Sequence, residues 1–214
     1  MELFLDSIDS AEIEKYSAFI DGITTNPSLM ASSKASFYDT VEKICALVKG
    51  DVSIEVASND FKTMAAEGDK IVALAENIVI KLPVTWDGLR ACKYFTDRGH
   101  KVNMTLCFSA SQALLAAKVG ATYISPFVGR LDDIGEDGMQ LISEICTIYD
   151  NYEFKTKILA ASIRTIQHVT EAALYGADVA TIPAKLMSEL VSHPLTDKGL
   201  EKFNQDWAKS GMKI

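Results

Sequence analysis

The chain has 214 residues, of which 48% are apolar and 23% are charged, and its formal net charge is −8. This composition is ordinary for a globular protein and the length fits one large domain, so we expect a single domain over residues 1–214. The negative charge argues against non-specific nucleic-acid binding, and no apolar run reaches the roughly 18 residues of a membrane span.

The N-terminal residues and the metal-ligating residue types exclude further classes. A short apolar run at the N-terminus has no basic region before it, so it does not predict a signal peptide. The histidines are scattered without neighbouring ligands, and we therefore expect no metal and no cofactor. The cysteines are widely spaced and form no CxxC motif, which is typical of reduced thiols in a cytoplasmic protein. These are Cys45, Cys92, Cys107 and Cys146.

Short β-like segments alternate along the chain with amphipathic helical patterns. We predict strands at residues 2–6, 20–25, 52–57, 78–82, 102–106, 123–127, 158–161 and 179–182. We predict helices at residues 37–48, 61–75, 86–98, 109–119, 138–149, 165–175 and 197–208. Several helices start at capping residues, namely Asn59 or Asp60, Thr85, Ser109, and one of residues 162–165.

Eight strands alternating with helices predict a parallel sheet, and eight is the number that closes a (β/α)₈ barrel. The main alternative is an open doubly wound sheet, which normally carries a glycine-rich phosphate motif after its first strand. The sequence there is Asp6-Ser7-Ile8-Asp9, which contains no glycine and so argues against the open sheet. We therefore predict a TIM barrel with an additional C-terminal helix at about residues 197–208.

A lysine interrupts the apolar fourth strand, in Ile80-Lys81-Leu82-Pro83. One interpretation is a strand-end lysine whose amine reaches water. The other is an amine that burial keeps uncharged, so that it can attack a carbonyl and form a Schiff base. This segment alone favours the first interpretation, and the neighbouring polar residues favour the second.

Polar residues recur near the carboxyl ends of the strands, on the face that we expect to point into the barrel. Side chains alternate between the two faces of a strand. Besides Lys81, the inward face carries Asp6, Asn26, Glu55, Asn103, Thr105, Ser125, Ser162 and Arg164, and Phe127 shares the face of Ser125. Each residue alone has an ordinary explanation, such as a turn at Asn26 or a surface ion pair between Arg130 and Asp132 or Asp133. Their shared end and parity favour an active site, because barrel enzymes place theirs at the carboxyl ends of the strands.

Strands 3, 4 and 5 are expected neighbours, about 4.8 Å apart, which brings Glu55, Lys81 and Thr105 within direct or water-bridged reach. An amine beside an acid and a hydroxyl has what carbinolamine formation needs. Asp6 could take the proton of a substrate hydroxyl as a C–C bond breaks. Two guanidinium groups after strands 6 and 7 form a predicted phosphate clamp: Arg130 and Arg164.

Separate motifs along nearly the whole chain resemble those of the transaldolases, in particular the short group that also contains fructose-6-phosphate aldolases. In chain order they are FLDS (4–7), GITTNPS (22–28), IKLP (80–83), NMTL (103–106), SPFVGR (125–130), AASIR (160–164) and HPLTD (193–197). Several motifs in the right order make the resemblance highly specific.

The resemblance implies a role for each matching residue. Lys81 forms the Schiff base with the ketose donor, Glu55 and Thr105 hold the catalytic water, and Asp6 is the acid/base for C–C cleavage. The residues implied to hold the dihydroxyacetone part are Asn26, Asn103 and Ser125. Those implied to bind phosphate are Arg130, Ser162 and Arg164.

The implied reaction belongs to the pentose phosphate pathway. It moves a dihydroxyacetone unit from sedoheptulose 7-phosphate to glyceraldehyde 3-phosphate, giving erythrose 4-phosphate and fructose 6-phosphate. The alternative is an aldolase that makes fructose 6-phosphate from free dihydroxyacetone. Aldolase members tend to carry Gln in place of Glu55 and Tyr in place of Phe127, so this chain resembles the transferases. A third hypothesis is a barrel without catalytic activity that acts as an assembly or binding protein. Lys185 is the alternative lysine for the Schiff base, should Lys81 not form it.

The C-terminal segment carries Phe203 and Trp207 on an amphipathic pattern. It could pack across the rim of its own barrel. The resemblance instead implies a ring-forming homo-oligomer, a pentamer or a decamer built from pentamers, in which this helix reaches a neighbour.

Overall fold

A computed structural model describes residues 1–213, and within them eight strands close into one parallel barrel in chain order. The strands are β1 (Glu2–Asp6), β2 (Gly22–Thr24), β3 (Asp51–Glu55), β4 (Ile78–Pro83), β5 (Val102–Cys107), β6 (Tyr123–Pro126), β7 (Lys157–Ala160) and β8 (Val179–Pro183). Pairing of β8 with β1, which sets Thr181 opposite Phe4, closes the barrel. The predicted (β/α)₈ barrel is confirmed.

Helices surround the barrel and connect its strands. They are α1 (Ser10–Tyr16), α2 (Pro27–Ala31), α3 (Phe37–Leu47), α4 (Phe61–Val72), α5 (Trp86–Thr96), α6 (Ala110–Lys118), α7 (Val128–Asp132), α8 (Gly138–Asn151), α9 (Ile166–Tyr175), α10 (Ala184–Glu189) and α11 (Pro194–Ser210). The sequence pattern does not predict α1, α2 or α7, since none exceeds 7 residues and a short helix shows no clear period.

Side-chain caps fix the starts of the longer helices. The side chains of Asp60, Thr85, Ser109 and Thr165 each accept a hydrogen bond from the backbone N–H three residues further on. Each bond satisfies an amide that the helix itself leaves without a partner. The predicted caps are therefore confirmed, with Asp60 chosen over Asn59.

Two apolar layers hold the barrel together. The outward faces of the strands pack against the helices through fully buried residues such as Ile54, Ile80 and Met104. A second cluster fills the inside of the barrel, namely Phe4, Val79, Tyr123, Leu159, Ala161 and Val179, with Phe127 packed against it. This alternation follows the predicted parity except on β7, where Leu159 and Ala161 point inward, so the predicted inward parity of Ser162 and Arg164 is wrong. These two residues reach the cavity from the turn after the strand, where Ser162 has a left-handed backbone.

The C-terminal helix α11 has no buried residue. The apolar side chains Leu200, Phe203 and Trp207 are 56%, 70% and 47% exposed. Packing of this helix across the rim of its own barrel is therefore a wrong expectation for the described chain. None of the helices within residues 1–213 combines the length and apolar character that a membrane crossing requires.

Candidate active site

The carboxyl ends of the strands surround a cavity of about 500 Å³. Most of the side chains selected from the sequence line it: Asp6, Asn26, Glu55, Lys81, Ser125, Phe127, Arg130, Ser162 and Arg164. Two others, Asn103 and Thr105, are fully buried in β5 and do not line the cavity. The structure therefore brings the predicted set to one end of the barrel, with two members behind the cavity wall.

Lys81 lies on β4 with its amine inside the barrel. The residue is 5% exposed, and its Nζ lies 3.0 Å from Glu55 Oε2. The amine also donates a hydrogen bond to the backbone oxygen of Thr25 at 2.8 Å. Glu55 is its register partner on β3. The interpretation of Lys81 as a strand-end lysine that reaches water is therefore wrong.

Asp6, at the end of β1, lies close to this amine and is held by two threonines. Thr24 Oγ1 donates to Asp6 Oδ1 at 3.0 Å and lies 2.5 Å from Thr181 Oγ1. Since Thr24 uses its one hydrogen on Asp6, Thr181 is the donor in the second bond. Burial raises the pKa of Asp6 above its ordinary value, although the Lys81 cation and the Thr24 hydrogen bond partly oppose the rise. Asp6 is thereby a better base than an exposed carboxylate.

Asn103 and Ser125 form a buried network beneath the cavity. The Asn103 amide donates to Ser53 Oγ at 3.1 Å and accepts from Ser125 Oγ at 2.7 Å. Each end of the amide therefore has a hydrogen-bond partner, and Asn103 is connected to the cavity wall through Ser125. Thr105 is different, because its fully buried hydroxyl has no hydrogen-bond partner within residues 1–213. A buried polar atom of this kind is normally satisfied by water or by a ligand.

The two arginines lie at the rim and are exposed. Arg164 Nη2 is 3.1 Å from Asp133 Oδ2, and the Arg130 guanidinium carbon is 5.1 Å from the centre of the Phe127 ring. The expected alternative, a surface ion pair between Arg130 and one of the nearby aspartates, is wrong. Asp133 pairs with Arg164, and Asp132 pairs with His168 at 2.9 Å.

The segments that carry these arginines touch through their backbones. The Gly129 N–H donates to the Ser162 carbonyl oxygen at 3.1 Å. A Cβ at position 129 would lie 2.2 Å from that oxygen and 2.5 Å from Arg164 Cγ, so only glycine fits. Ser162 has a φ of +59°, in the left-handed region that non-glycine residues rarely adopt.

One predicted residue of the cavity also has a structural role, and the cavity wall includes residues that the sequence analysis did not select. Asn26 caps α2 by accepting from the Leu29 N–H at 2.9 Å, and it also lines the cavity. The wall further includes Thr24, Ser28 and Thr181. Thr181 shares a strand face with the inward-pointing Val179, so the parity argument applied to β8 would have found it. Lys185, the alternative lysine, is exposed on α10 and does not line the cavity.

Comparisons with known proteins identify the family of the chain. The family model described as "Transaldolase/Fructose-6-phosphate aldolase" matches residues 3–214. The chain is 59% identical to a "Probable transaldolase" of Brucella ovis, 57% identical to one of Chelativorans sp. and 55% identical to one of Paracoccus denitrificans. Each alignment covers 100% of both chains. The chain therefore belongs to the transaldolase/fructose-6-phosphate aldolase family.

Proposed function

We propose that the protein is a transaldolase that carries a dihydroxyacetone unit on Lys81 as a Schiff base. The unit passes from sedoheptulose 7-phosphate to glyceraldehyde 3-phosphate, giving erythrose 4-phosphate and fructose 6-phosphate. The observation that carries the proposal is the buried Lys81 amine, 3.0 Å from the Glu55 carboxylate, within a cavity rimmed by two arginines. The name "Probable transaldolase" of the full-length relatives supports it.

Schiff-base formation needs an uncharged amine and a route for water. Glu55 is close enough to take a proton from Lys81 before the nitrogen attacks the ketone carbon of the donor. The carbinolamine then loses its hydroxyl as water, with the proton supplied by the acid. We assign the water to Glu55 and Thr105. The Thr105 hydroxyl has no hydrogen-bond partner among residues 1–213, and a water there would supply one, which supports the assignment.

Cleavage of the C–C bond is assigned to Asp6. Its carboxylate accepts the proton of the hydroxyl on the carbon that becomes the aldehyde, and the electrons of the breaking bond move into the imine to form an enamine. In the second half-reaction the enamine attacks the acceptor aldehyde, and Asp6 returns the proton to the new hydroxyl. The raised pKa of Asp6 supports this assignment, since an effective acid/base titrates near the working pH.

The cavity rim is assigned to the phosphate group. One side of the opening is lined by Arg130, Arg164 and the Ser162 hydroxyl. The two arginines supply the positive charge that an anionic substrate needs in a protein of net charge −8. Phosphate would replace Asp133 on the Arg164 guanidinium, which can bind it through two parallel hydrogen bonds. Asn26 and Ser125 are assigned to the dihydroxyacetone hydroxyls, with Asn103 holding Ser125.

The aldolase activity of the same family is the second candidate. Glu55 and Phe127 favour transfer over it, because a carboxylate can carry protons and a phenylalanine places no hydroxyl beside the lysine. The Phe127 ring lines the cavity and packs edge-on against Phe108, with 5.8 Å between ring centres.

Reduction with sodium borohydride in the presence of fructose 6-phosphate tests the assignment. We expect the reduced three-carbon adduct on the peptide that contains Lys81, detected by mass spectrometry. Lys81→Met should give no adduct and lower kcat by roughly four orders of magnitude or more. Lys185→Met is the matched control and should keep both the adduct and the activity. An unmodified wild-type protein, or an adduct at another lysine, would support the barrel without catalytic activity or a different amine.

Two further features belong to the proposal. We assign the protein to the cytoplasm, where thiols stay reduced, because Cys45, Cys92, Cys107 and Cys146 are all unpaired in the structure. We also propose a homo-oligomer, a pentamer or a decamer of pentamers, in which the exposed apolar face of α11 contacts a neighbouring subunit.

A further inference from the structure

His168, in the first turn of α9, joins the two arginine-bearing segments of the cavity rim. Its Nδ1 accepts a hydrogen bond from the backbone N–H of Arg164 at 3.2 Å, and its Nε2 lies 2.9 Å from Asp132 Oδ2. A backbone N–H can only donate, so Nδ1 carries no hydrogen. The hydrogen of the neutral ring is therefore on Nε2, where Asp132 accepts it. The His168 side chain is only 12% exposed.

Asp132 is itself fixed at both oxygens. Besides the contact with His168, its Oδ1 accepts a hydrogen bond from the Gly138 N–H at 3.0 Å. Asp132 is the last residue of α7, the short helix that also carries Arg130. The contacts of His168 thus connect the backbone of Arg164 to the helix of Arg130.

This connection does not use the guanidinium groups. The ion pair between Arg164 and Asp133 occupies the group that a phosphate would need, and its partners are 53% and 60% exposed. The His168 contact uses only the Arg164 backbone, so it persists when the guanidinium turns to a ligand. It also braces a turn in which Ser162 has a left-handed backbone, and such conformations persist only where the surroundings fix them.

We propose that His168 is a positioning residue that holds Arg164 in a fixed relation to Arg130 and so sets the affinity for the substrate phosphate. The proposal rests on the proposed function, in which these two arginines bind that phosphate. His168 does not line the cavity within the described chain, and its effect therefore falls on binding and not on the bonds that break and form.

The test compares His168→Phe with His168→Asn, whose side-chain oxygen keeps an acceptor near the position of Nδ1. For each variant, kcat and KM are measured with glyceraldehyde 3-phosphate and with unphosphorylated glyceraldehyde, and inorganic phosphate serves as a competitive inhibitor. His168→Phe should raise the KM for the phosphorylated aldehyde and the inhibition constant of phosphate about tenfold, with kcat within about twofold. With the donor ketose at a saturating concentration, the kinetics with glyceraldehyde should not change, and His168→Asn should recover most of the affinity.

His100→Phe, the same substitution outside the cavity lining, is the control and should behave as the wild type. An equal loss with both aldehydes, an unchanged phosphate inhibition constant, or no recovery in His168→Asn would overturn the proposal. The nitrogen NMR shifts of the ring give a readout that does not depend on activity, and a hydrogen on Nδ1 would also overturn it. Borohydride trapping separates the two proposals, because a wild type without an adduct on Lys81 contradicts the proposed function. A trapped wild type whose phosphate inhibition survives His168→Phe contradicts the role of His168 alone.

Discussion

Asp6 depends on hydroxyl groups that come from two other strands. Thr181 on β8 donates to Thr24 on β2, and Thr24 donates to Asp6 on β1. A donor on the carboxylate stabilises its ionised form and holds its direction, while burial acts in the opposite sense on the pKa of Asp6. The balance of these two effects decides the pH at which Asp6 can accept a proton.

Replacing Thr24 by Val removes this donor with little change of shape. The pKa of Asp6 should rise further, because the hydrogen bond that lowers it is lost while burial remains. The acid limb of the kcat/KM profile should then move to higher pH. At acidic pH the loss of kcat/KM should be roughly tenfold, from about 1.5 kcal/mol for a hydrogen bond to a charged group. Steady-state kinetics across pH check this, and Thr24→Ser, which keeps the hydroxyl, should retain the wild-type limb.

Phe127→Tyr should change how the enamine is partitioned between water and acceptor. A phenol hydroxyl beside Lys81 offers a proton donor that phenylalanine lacks, which favours protonation and release of free dihydroxyacetone. We expect a severalfold rise in dihydroxyacetone released from fructose 6-phosphate relative to transfer to an aldehyde. An assay with and without erythrose 4-phosphate measures both activities. Unchanged partitioning would contradict the role given to Phe127.

Residue parity predicts the cavity well where a strand is regular. Lys81 and Glu55 follow from alternation along β4 and β3, and they meet at 3.0 Å. Alternation does not tell whether an inward side chain reaches the cavity or is covered, so the burial of Asn103 and Thr105 could not be foreseen. The roles of these residues in the reaction stay predictions until the kinetic tests are made.

At the scale of elements, the sequence predicts those whose period repeats several times. All eight strands and the longer helices lie where the pattern puts them, with shifts at the ends such as β2, which is only Gly22–Thr24. The helix α7 escapes prediction because it has 5 residues and its N-terminal residue makes no side-chain cap. That helix nevertheless carries Arg130, so the least predictable element positions part of the cavity rim.

At the scale of the whole molecule, α11 leaves an apolar face uncovered within residues 1–213, the face that carries Leu200, Phe203 and Trp207. Their spacing of three and four residues places them on one side of the helix. The barrel of the same chain does not cover this face, and a second copy of the chain is the occupant we propose.

The double substitution Phe203→Glu with Trp207→Glu should therefore break the assembly. Each lost apolar contact contributes about 1.5–3 kcal/mol, so the dissociation constant should rise by roughly 100-fold or more. Light scattering after size-exclusion chromatography measures the mass of the particle. Trp86→Glu on α5 is the matched control, since Trp86 is 76% exposed and lies elsewhere. Dissociation by the control and not by the double variant would contradict the proposed interface.

The close contact at Gly129 has a consequence for how the barrel binds sugar phosphates of different length. The loops after β6 and β7 are in direct backbone contact and cannot move closer together. An anion bound between their arginines therefore lies at a fixed distance from the Lys81 amine. The amine on β4 is equally immobile, because two hydrogen-bond acceptors hold it. Under the proposed assignment the amine and the phosphate site are therefore held at a fixed separation, and the extra carbon of sedoheptulose 7-phosphate relative to fructose 6-phosphate is accommodated by the conformation of the sugar and not by movement of the barrel.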